Sequence, residues 1–414
     1  MTAGRPGLRT VLANRAYRRQ FAAQTVSRWG DTASTVALVV LVFQLTGSGL
    51  KVTGVVIAEI QPVLLLAPVA GVVADRLPRV GVMAAADLWR MGLAALLPLA
   101  STHLAAVYAL AFGMSAGTVF FSPASAAALP AIVSEDELIA ANSGLWTAAV
   151  VSQVAVAPVT GAIVAAWGVA PAFYFNAATF AFSALTLARL RLPRPPPPAP
   201  ADSRAGRLLE GVRLLARDRL LRLLAFVQLL AALSAGATSA LLVVLAERHL
   251  HAGPGGFGLL LGAIGAGAAL GPLVLARLTS NPRRPALVFG PYLLRGAVDL
   301  ILALTRSLPA AMGALVLYGA GTSTGMVTYN SLLQAEGPAG TRGRVFAGFD
   351  MIWQTGRLAS LALGGIAADI LGIRAVYAIG GALLVLAGTI GLAGLAPTAI
   401  HPDGSSRQGP GERR

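Results

Sequence analysis

Several carboxylates of this 414-residue chain sit inside long apolar stretches, where an ionisable side chain is costly to keep and is a functional candidate by default. Asp31 follows Arg28 by three residues, which places both on one face of a helix. Glu59 stands beside Gln61 and Pro62, and the proline opens the helix there. Asp87 with Arg90, and Arg295 with Asp299, are spaced to pair within their own helices, and Asp350 and Arg357 lie two turns apart. The chemistry open to such groups is reversible protonation. Burial favours the neutral carboxyl, and a neighbouring guanidinium favours the charged one. Glu59, with no cation near in sequence, is then the easier group to protonate. Arg28 holds Asp31 ionised until a substrate or a helix movement separates the two.

Positioning such groups requires a membrane scaffold. The hydrophobic fraction is 56%, charged residues make up 12%, and the mean hydropathy is +0.72, so most of the chain needs a lipid-like environment. Twelve windows of roughly 20 apolar residues are candidate spans. They fall at about 20–45, 52–73, 81–100, 104–125, 142–167, 170–189, 221–245, 256–278, 286–305, 311–333, 346–370 and 374–395. The expected fold is an all-α integral membrane protein with two six-helix halves. Its first apolar run is far longer than a signal-peptide core and reads as a retained helix.

Orientation follows from the basic residues. The segment Gly71 to Val80 packs Asp75, Arg76 and Arg79 into a turn too short to fold, and a turn of that charge must face water. Arginines gather in the N-terminal tail, this turn, the central segment, the loops around 279–285 and 337–345, and the C-terminal tail. The alternate loops hold few. Both termini are therefore expected in the cytoplasm. The same distribution argues against reading the net charge of +15 as a nucleic-acid footprint.

The expected organisation is a cytoplasmic tail at 1–19, a first half at 20–189, a linker at 190–220, a second half at 221–395 and a tail at 396–414. In the linker, PRPPPPAP is a stiff spacer. Leu208, Leu209, Val212, Leu215 and Leu220 then repeat at helical spacing among arginines, as in a basic helix lying on the membrane surface. The halves are weakly self-similar: Arg76 matches Arg277, Arg90 matches Arg295, and Trp146 matches Trp353. Such repeats place a binding site near the midplane between the halves.

The turn Gly71-Val-Val-Ala-Asp75-Arg76-Leu-Pro-Arg79 resembles the signature between helices two and three of the major facilitator superfamily. QTVSRWGDTASTVALVVLVFQLTGS, AADLWR, FFSPASAAALPAIVSEDELIAANS, FYFNAATFAFSALTLARLRLP and GRVFAGFD are similar to blocks of its twelve-helix drug:proton antiporter branch, which includes macrolide efflux proteins and the enterobactin exporter. The order of blocks is kept over nearly all of 10–395. One departure is Ala157-Pro158-Val159-Thr160-Gly161, where that branch has Gly-Pro followed by a Gly-Gly pair; Pro158 still bends the helix and Gly161 still permits close packing. The second-half loop ARLTSNPRR lacks the aspartate of the first.

The resemblance favours Asp31 as the first proton-coupling group; Glu59 comes second for want of a nearby cation, and Arg28 is the partner of Asp31 by spacing. It implies a cytoplasmic gate at Gly71, Asp75, Arg76 and Arg79, where Asp75 accepts hydrogen bonds from a neighbouring helix end. Asp87 and Arg90 are associated with that gate. The candidate substrate cavity draws amides from Gln24, Gln61, Gln153, Gln228, Asn330 and Gln354. Phe120, Trp146, Tyr329 and Trp353 supply aromatic walls, and Arg357 a charge.

The glycine run of span eight, with Gly258, Gly262, Gly265, Gly267 and Gly271, reads as close helix contact. It lacks the lysine and strand of a phosphate loop. No cysteine is present, and the loop histidines have no second ligand set, so neither a metal nor another cofactor is expected. No nucleophile–base pair marks an enzyme. The expectation is a monomeric inner-membrane exporter of an amphipathic drug-like or natural-product molecule, driven by proton antiport, with the lipid bilayer and a small organic substrate as its partners. The alternatives are a siderophore exporter on the same fold and a non-transporting membrane sensor or scaffold.

Overall fold

The computed structural model describes residues 7–190, 192, 218–278, 284–336 and 342–395. Most of the linker with its expected surface helix, parts of the 279–285 and 337–345 loops, and both chain ends lie outside the described residues.

Long helices stand at all twelve expected positions. They are α1 (Arg15–Thr46), α2 (Gly49–Arg76), α3 (Arg79–Leu96), α4 (Leu104–Ala128), α5 (Leu138–Trp167) and α6 (Ala170–Ala188) in the first half. The second half holds α7 (Arg219–Ala240), α8 (Gly253–Leu278), α9 (Pro285–Leu304), α10 (Leu308–Glu336), α11 (Arg342–Ile370) and α12 (Ile373–Leu395). Among the described residues, nine are long and apolar enough to cross a membrane unaided. The other three, α3, α6 and α11, contain Asp87 and Arg90, Asn176, and Asp350 and Arg357, which lower their hydropathy.

Several helices run past the apolar windows because their ends are capped. Asn14 Oδ1 accepts from the amides of Ala16 and Tyr17 at the start of α1, and Ser48 Oγ accepts from Lys51 at the start of α2. Gly47, with φ 61°, closes α1 in the left-handed region that glycine tolerates best. The acidic loop before α5 forms a capping box between Ser134 and Glu137.

The two halves repeat one packing scheme. In the first, α1 packs on α5 and α6, α2 on α4, and α3 on α4 and α6. In the second, α7 packs on α11 and α12, α8 on α10, and α9 on α10 and α12. The halves meet chiefly through α5 against α8 and α2 against α11. Glycine makes the first of these contacts possible. A Cβ on Gly161 would lie 2.6 Å from the Pro254 carbonyl oxygen and 2.9 Å from Gly258 Cα. Gly262 is in turn closed down on Pro158. Gly267 faces the opposite way, onto the α10 backbone at Val316.

The cores show which end is shut. At the end away from the termini, one apolar cluster joins both halves, from Val36–Val42 of α1 through Leu241–Ala246 to Tyr377 of α12. At the end bearing the termini, the clusters are separate: one in the second half around Leu224 and Phe349, two in the first around Met83 and Tyr17. A cleft between the halves therefore opens at the terminus-bearing end. It closes at the level of Ile60, Ala240 and Leu361, where the halves touch again.

Candidate functional site

Asp31 follows Gly30, which lets α1 lie directly on α6; a Cβ there would meet Thr179 Oγ1 and Asn176 Oδ1. The carboxylate faces a polar cavity of about 420 Å³ in the first half, lined by Gln24, Ser27, Arg28, Asp31, Arg90, Ser125 and Asn142 among others. Gln24 Nε2 donates to Ser125 Oγ at 2.7 Å. A smaller neighbouring hollow of about 240 Å³ adds Trp146, which is half exposed.

Sequence spacing pairs Asp31 with Arg28, but the tertiary structure brings Arg90 to the same cavity as well. Among the described residues, no cation lies within 4 Å of Asp31. Arg90 is committed elsewhere: it is ion-paired with Asp87, and both are buried. Its guanidinium carbon lies 4.8 Å from the Phe121 ring centroid and 4.3 Å from that of Phe180. These contacts offset much of the cost of taking the cation out of water. Asp87 and Arg90 thus adjoin the Asp31 cavity.

Glu59 of α2 sits next to the contact that closes the cleft, and α4 fixes its backbone through Ser115 Oγ, 2.5 Å from the Glu59 carbonyl oxygen. Arg357 of α11 supplies the cation missing near Glu59 in sequence. Their charges interact across the interface between the halves, beyond ion-pair distance.

A second cavity, of about 410 Å³, lies wholly within the second half. Gln228, Tyr329, Asn330 and Trp353 line it, joined by Tyr292, Arg295 and Asp350, so these four share a cavity inside one half and not one drawn from both halves. Phe120 lies apart from both polar cavities, in an apolar groove of about 530 Å³ between α2, α3 and α4, beside Trp89 and Leu77. Gln153 is placed at the α5–α8 contact near Gly265. Gln61 is exposed on α2, and Gln354 is half-buried with its side-chain oxygen unpartnered. At the open end, Asp75 and Arg76 are exposed, while Gly71 and Arg79 are half-buried.

The hydroxyl lining of the first cavity, with Ser122 and Ser125, went unread in the sequence; their spacing around Pro123 in α4 is the signal that marks one face. Among the described residues, no group of His, Asp or Glu is arranged to hold a metal ion.

A duplicated six-helix bundle, a cleft open at one end and charged groups at membrane depth define a multi-pass membrane transporter of the major facilitator type. The chain belongs to the family described as transmembrane secretion effector, which matches residues 9–408. It is 27% identical over 406 residues to the MFS-type transporter YfiS of Bacillus subtilis (strain 168), covering 94% of this chain and 93% of that one. It is 28% identical over 339 residues to the lysophospholipid transporter LplT of Pectobacterium carotovorum subsp. carotovorum (strain PC1), covering 80% and 81%. Its fold is similar to the crystal structure of a bacterial homologue of the iron transporter ferroportin in the inward-facing state. The TM-score is 0.73 at 16% identity, covering 92% of this chain and 99% of that one.

Proposed function

We propose that this transporter exports an amphipathic small organic molecule across the inner membrane in exchange for protons, by alternating access. The observation that carries the reading is the placement of Asp31 and Glu59. Each carboxylate lies at membrane depth beside the cleft, and each faces cations that act on it without being locked to it. A proton, or a charged group of the substrate, can replace such a loose counter-charge when the helices move. Each proton moved inward contributes about 2.3 kcal/mol per 100 mV.

The excess of arginine near the termini supports a cytoplasmic position for that end. The open cleft then faces the cytoplasm, where an exporter loads. Asp75, Arg76 and Arg79 stand on the rim of the open end and suit a gate that engages when this end closes. The aromatic and amide walls of the second-half cavity suit a bulky substrate with few hydrogen-bonding groups. The chain works as a monomer in the bilayer.

A lysophospholipid is the second reading. It rests on the relative that carries such a substrate and on the apolar groove around Phe120, which lies beneath the arginines of the α2–α3 turn.

The test uses inside-out vesicles with an acid interior and an acid-quenched dye. Macrolides, cationic dyes, a catecholate siderophore and lysophosphatidylethanolamine are added in turn. Substrate-dependent proton release that disappears in Asp31→Asn places coupling in α1; release lost only in Glu59→Gln places it in α2. Silence toward every compound from folded protein argues for the sensor or scaffold alternative.

A further inference from the structure

Each half carries an arginine and an aspartate on its third helix, in opposite order: Asp87 then Arg90 on α3, Arg295 then Asp299 on α9. All four are buried, the aspartates at 0% and 1% exposure. On α3 the pair is closed. On α9 it is open. Arg295 Nη2 donates instead to the Tyr318 hydroxyl of α10 at 3.0 Å, and its guanidinium carbon lies 4.8 Å from that ring centroid.

Asp299 is thereby left without an ion-pair partner, and Arg295 acts on it only at longer range. Among the described residues no cation lies within 4 Å of it, and its Oδ2 is buried with no hydrogen-bond partner. Ser234 Oγ of α7 is buried and unpartnered as well. Both lie near Gly380 of α12 without bonding to each other: the position of a Cβ there is 3.2 Å from Ser234 Oγ and 3.9 Å from Asp299 Oδ2. The other groups facing Asp299 are Arg295 on its own helix and Tyr377 from α12, with Tyr318 of α10 bound to Arg295. The Tyr377 hydroxyl is already spent on the Thr238 carbonyl, at 2.7 Å. An ionised carboxylate in such a place would be buried and unpaired, among the least favourable arrangements in a protein interior. A protonated carboxyl is neutral and avoids the cost of burying an unpaired charge.

We propose that Asp299 is a proton-binding site distinct from Asp31 and Glu59, occupied in this conformation and emptied when Arg295 leaves Tyr318 and closes on it, as Arg90 closes on Asp87. The exchange balances: the carboxyl releases one proton to bulk water and gains the guanidinium as counter-charge, while Tyr318 loses a donor. Arg295 lines the second-half cavity, so an occupant there and the proton on Asp299 act through one side chain. The proposal extends the proton-coupled reading but stands without a substrate. Failure of the vesicle assay leaves the measurement below intact.

The test is infrared spectroscopy of the full chain in lipid nanodiscs across a pH series, with thermal unfolding in parallel. Wild type is expected to show a protonated-carboxyl band that Asp299→Asn removes. Asp299→Asn, which mimics the neutral acid, should unfold within a few degrees of wild type, whereas Asp87→Asn, which orphans Arg90, should unfold well below it. Should Asp299→Asn not fold, Tyr318→Phe serves instead: it frees Arg295 to pair and should shift loss of the band to lower pH. An unchanged band in Asp299→Asn, or destabilisation equal to that of Asp87→Asn, overturns the proposal, as does a band that Tyr318→Phe does not move.

Discussion

The carboxylate of Asp369, at the end of α11, caps the N-terminus of α2 in the other half, beginning with Ser48. It accepts from the Ser48 hydroxyl at 2.5 Å, the Gly49 amide at 2.6 Å and the Leu50 amide at 3.2 Å. An anion at a helix N-terminus meets both free amides and the positive end of the helix dipole. Beside it, Arg248 donates to the Gly47 carbonyl and lies 5.4 Å from the Phe43 ring centroid. Together these contacts fasten the end of the molecule that is shut.

Removing the cap should loosen that end. Charge-assisted hydrogen bonds of this kind contribute on the order of 2 kcal/mol, or about thirtyfold in an equilibrium. Asp369→Ala is therefore expected to shift the protein toward the state open at the far end. Spin-label distances across the far ends of α2 and α11 should lengthen. Unchanged distances would show that apolar packing alone keeps this end closed.

The contact between Gly161 and Gly258 should tolerate no side chain. Gly161→Val places its Cβ against backbone atoms that have no rotamer to escape into. Overpacking of this kind costs about 1–3 kcal/mol, and the halves must part to accommodate it. The melting temperature in detergent should fall by several degrees, and transport should fail. A variant with wild-type stability and turnover would show that α5 and α8 separate freely.

Glu59 and Arg357 should couple across the cleft. Glu59→Gln and Arg357→Gln are each expected to impair transport, and the double variant should lose less than the sum of the two. The coupling expected of interacting neighbours is about 0.5–3 kcal/mol. Additive losses in the double-mutant cycle would mean that the two charges act independently.

His249, in the turn after α7, should make the closed end sensitive to acid. Burial holds its pKa below the usual 6.5, with Arg374, Arg306 and His251 adding to the effect and the Thr305 carbonyl opposing it. Below that pH the unfolded state binds the proton more readily than the folded one. The contribution of His249 is therefore complete above about pH 6.5 and is lost as the pH falls. His249→Gln should lessen the drop in melting temperature between pH 7.5 and 5.5. Identical slopes in the two proteins would rule this out.

The residues alone determine where the helices lie, because a span needs a continuous apolar window and its ends need caps, glycines or charges. Most of the apolar windows sit inside the observed helices and the others overrun a C-terminal end by a few residues, and the glycine run of α8 announces the close contact that Gly258 and Gly262 make with α5. The weak repeat of Arg90 with Arg295 likewise anticipates two halves packed by one scheme.

What each charge faces was decided only in three dimensions. Spacing along a helix pairs Asp31 with Arg28 and Asp350 with Arg357, since neighbours three, four or seven residues apart share a face. It carries no information about the partner on another helix. Folding sets Arg90 beside Asp31, Arg357 opposite Glu59 and Asp369, 321 residues along the chain, on Ser48. It also leaves Arg295 with Tyr318 although Asp299 is its neighbour by spacing. Those choices follow from how the two halves dock and which rotamers the packed interior admits, quantities that a hydropathy pattern does not contain.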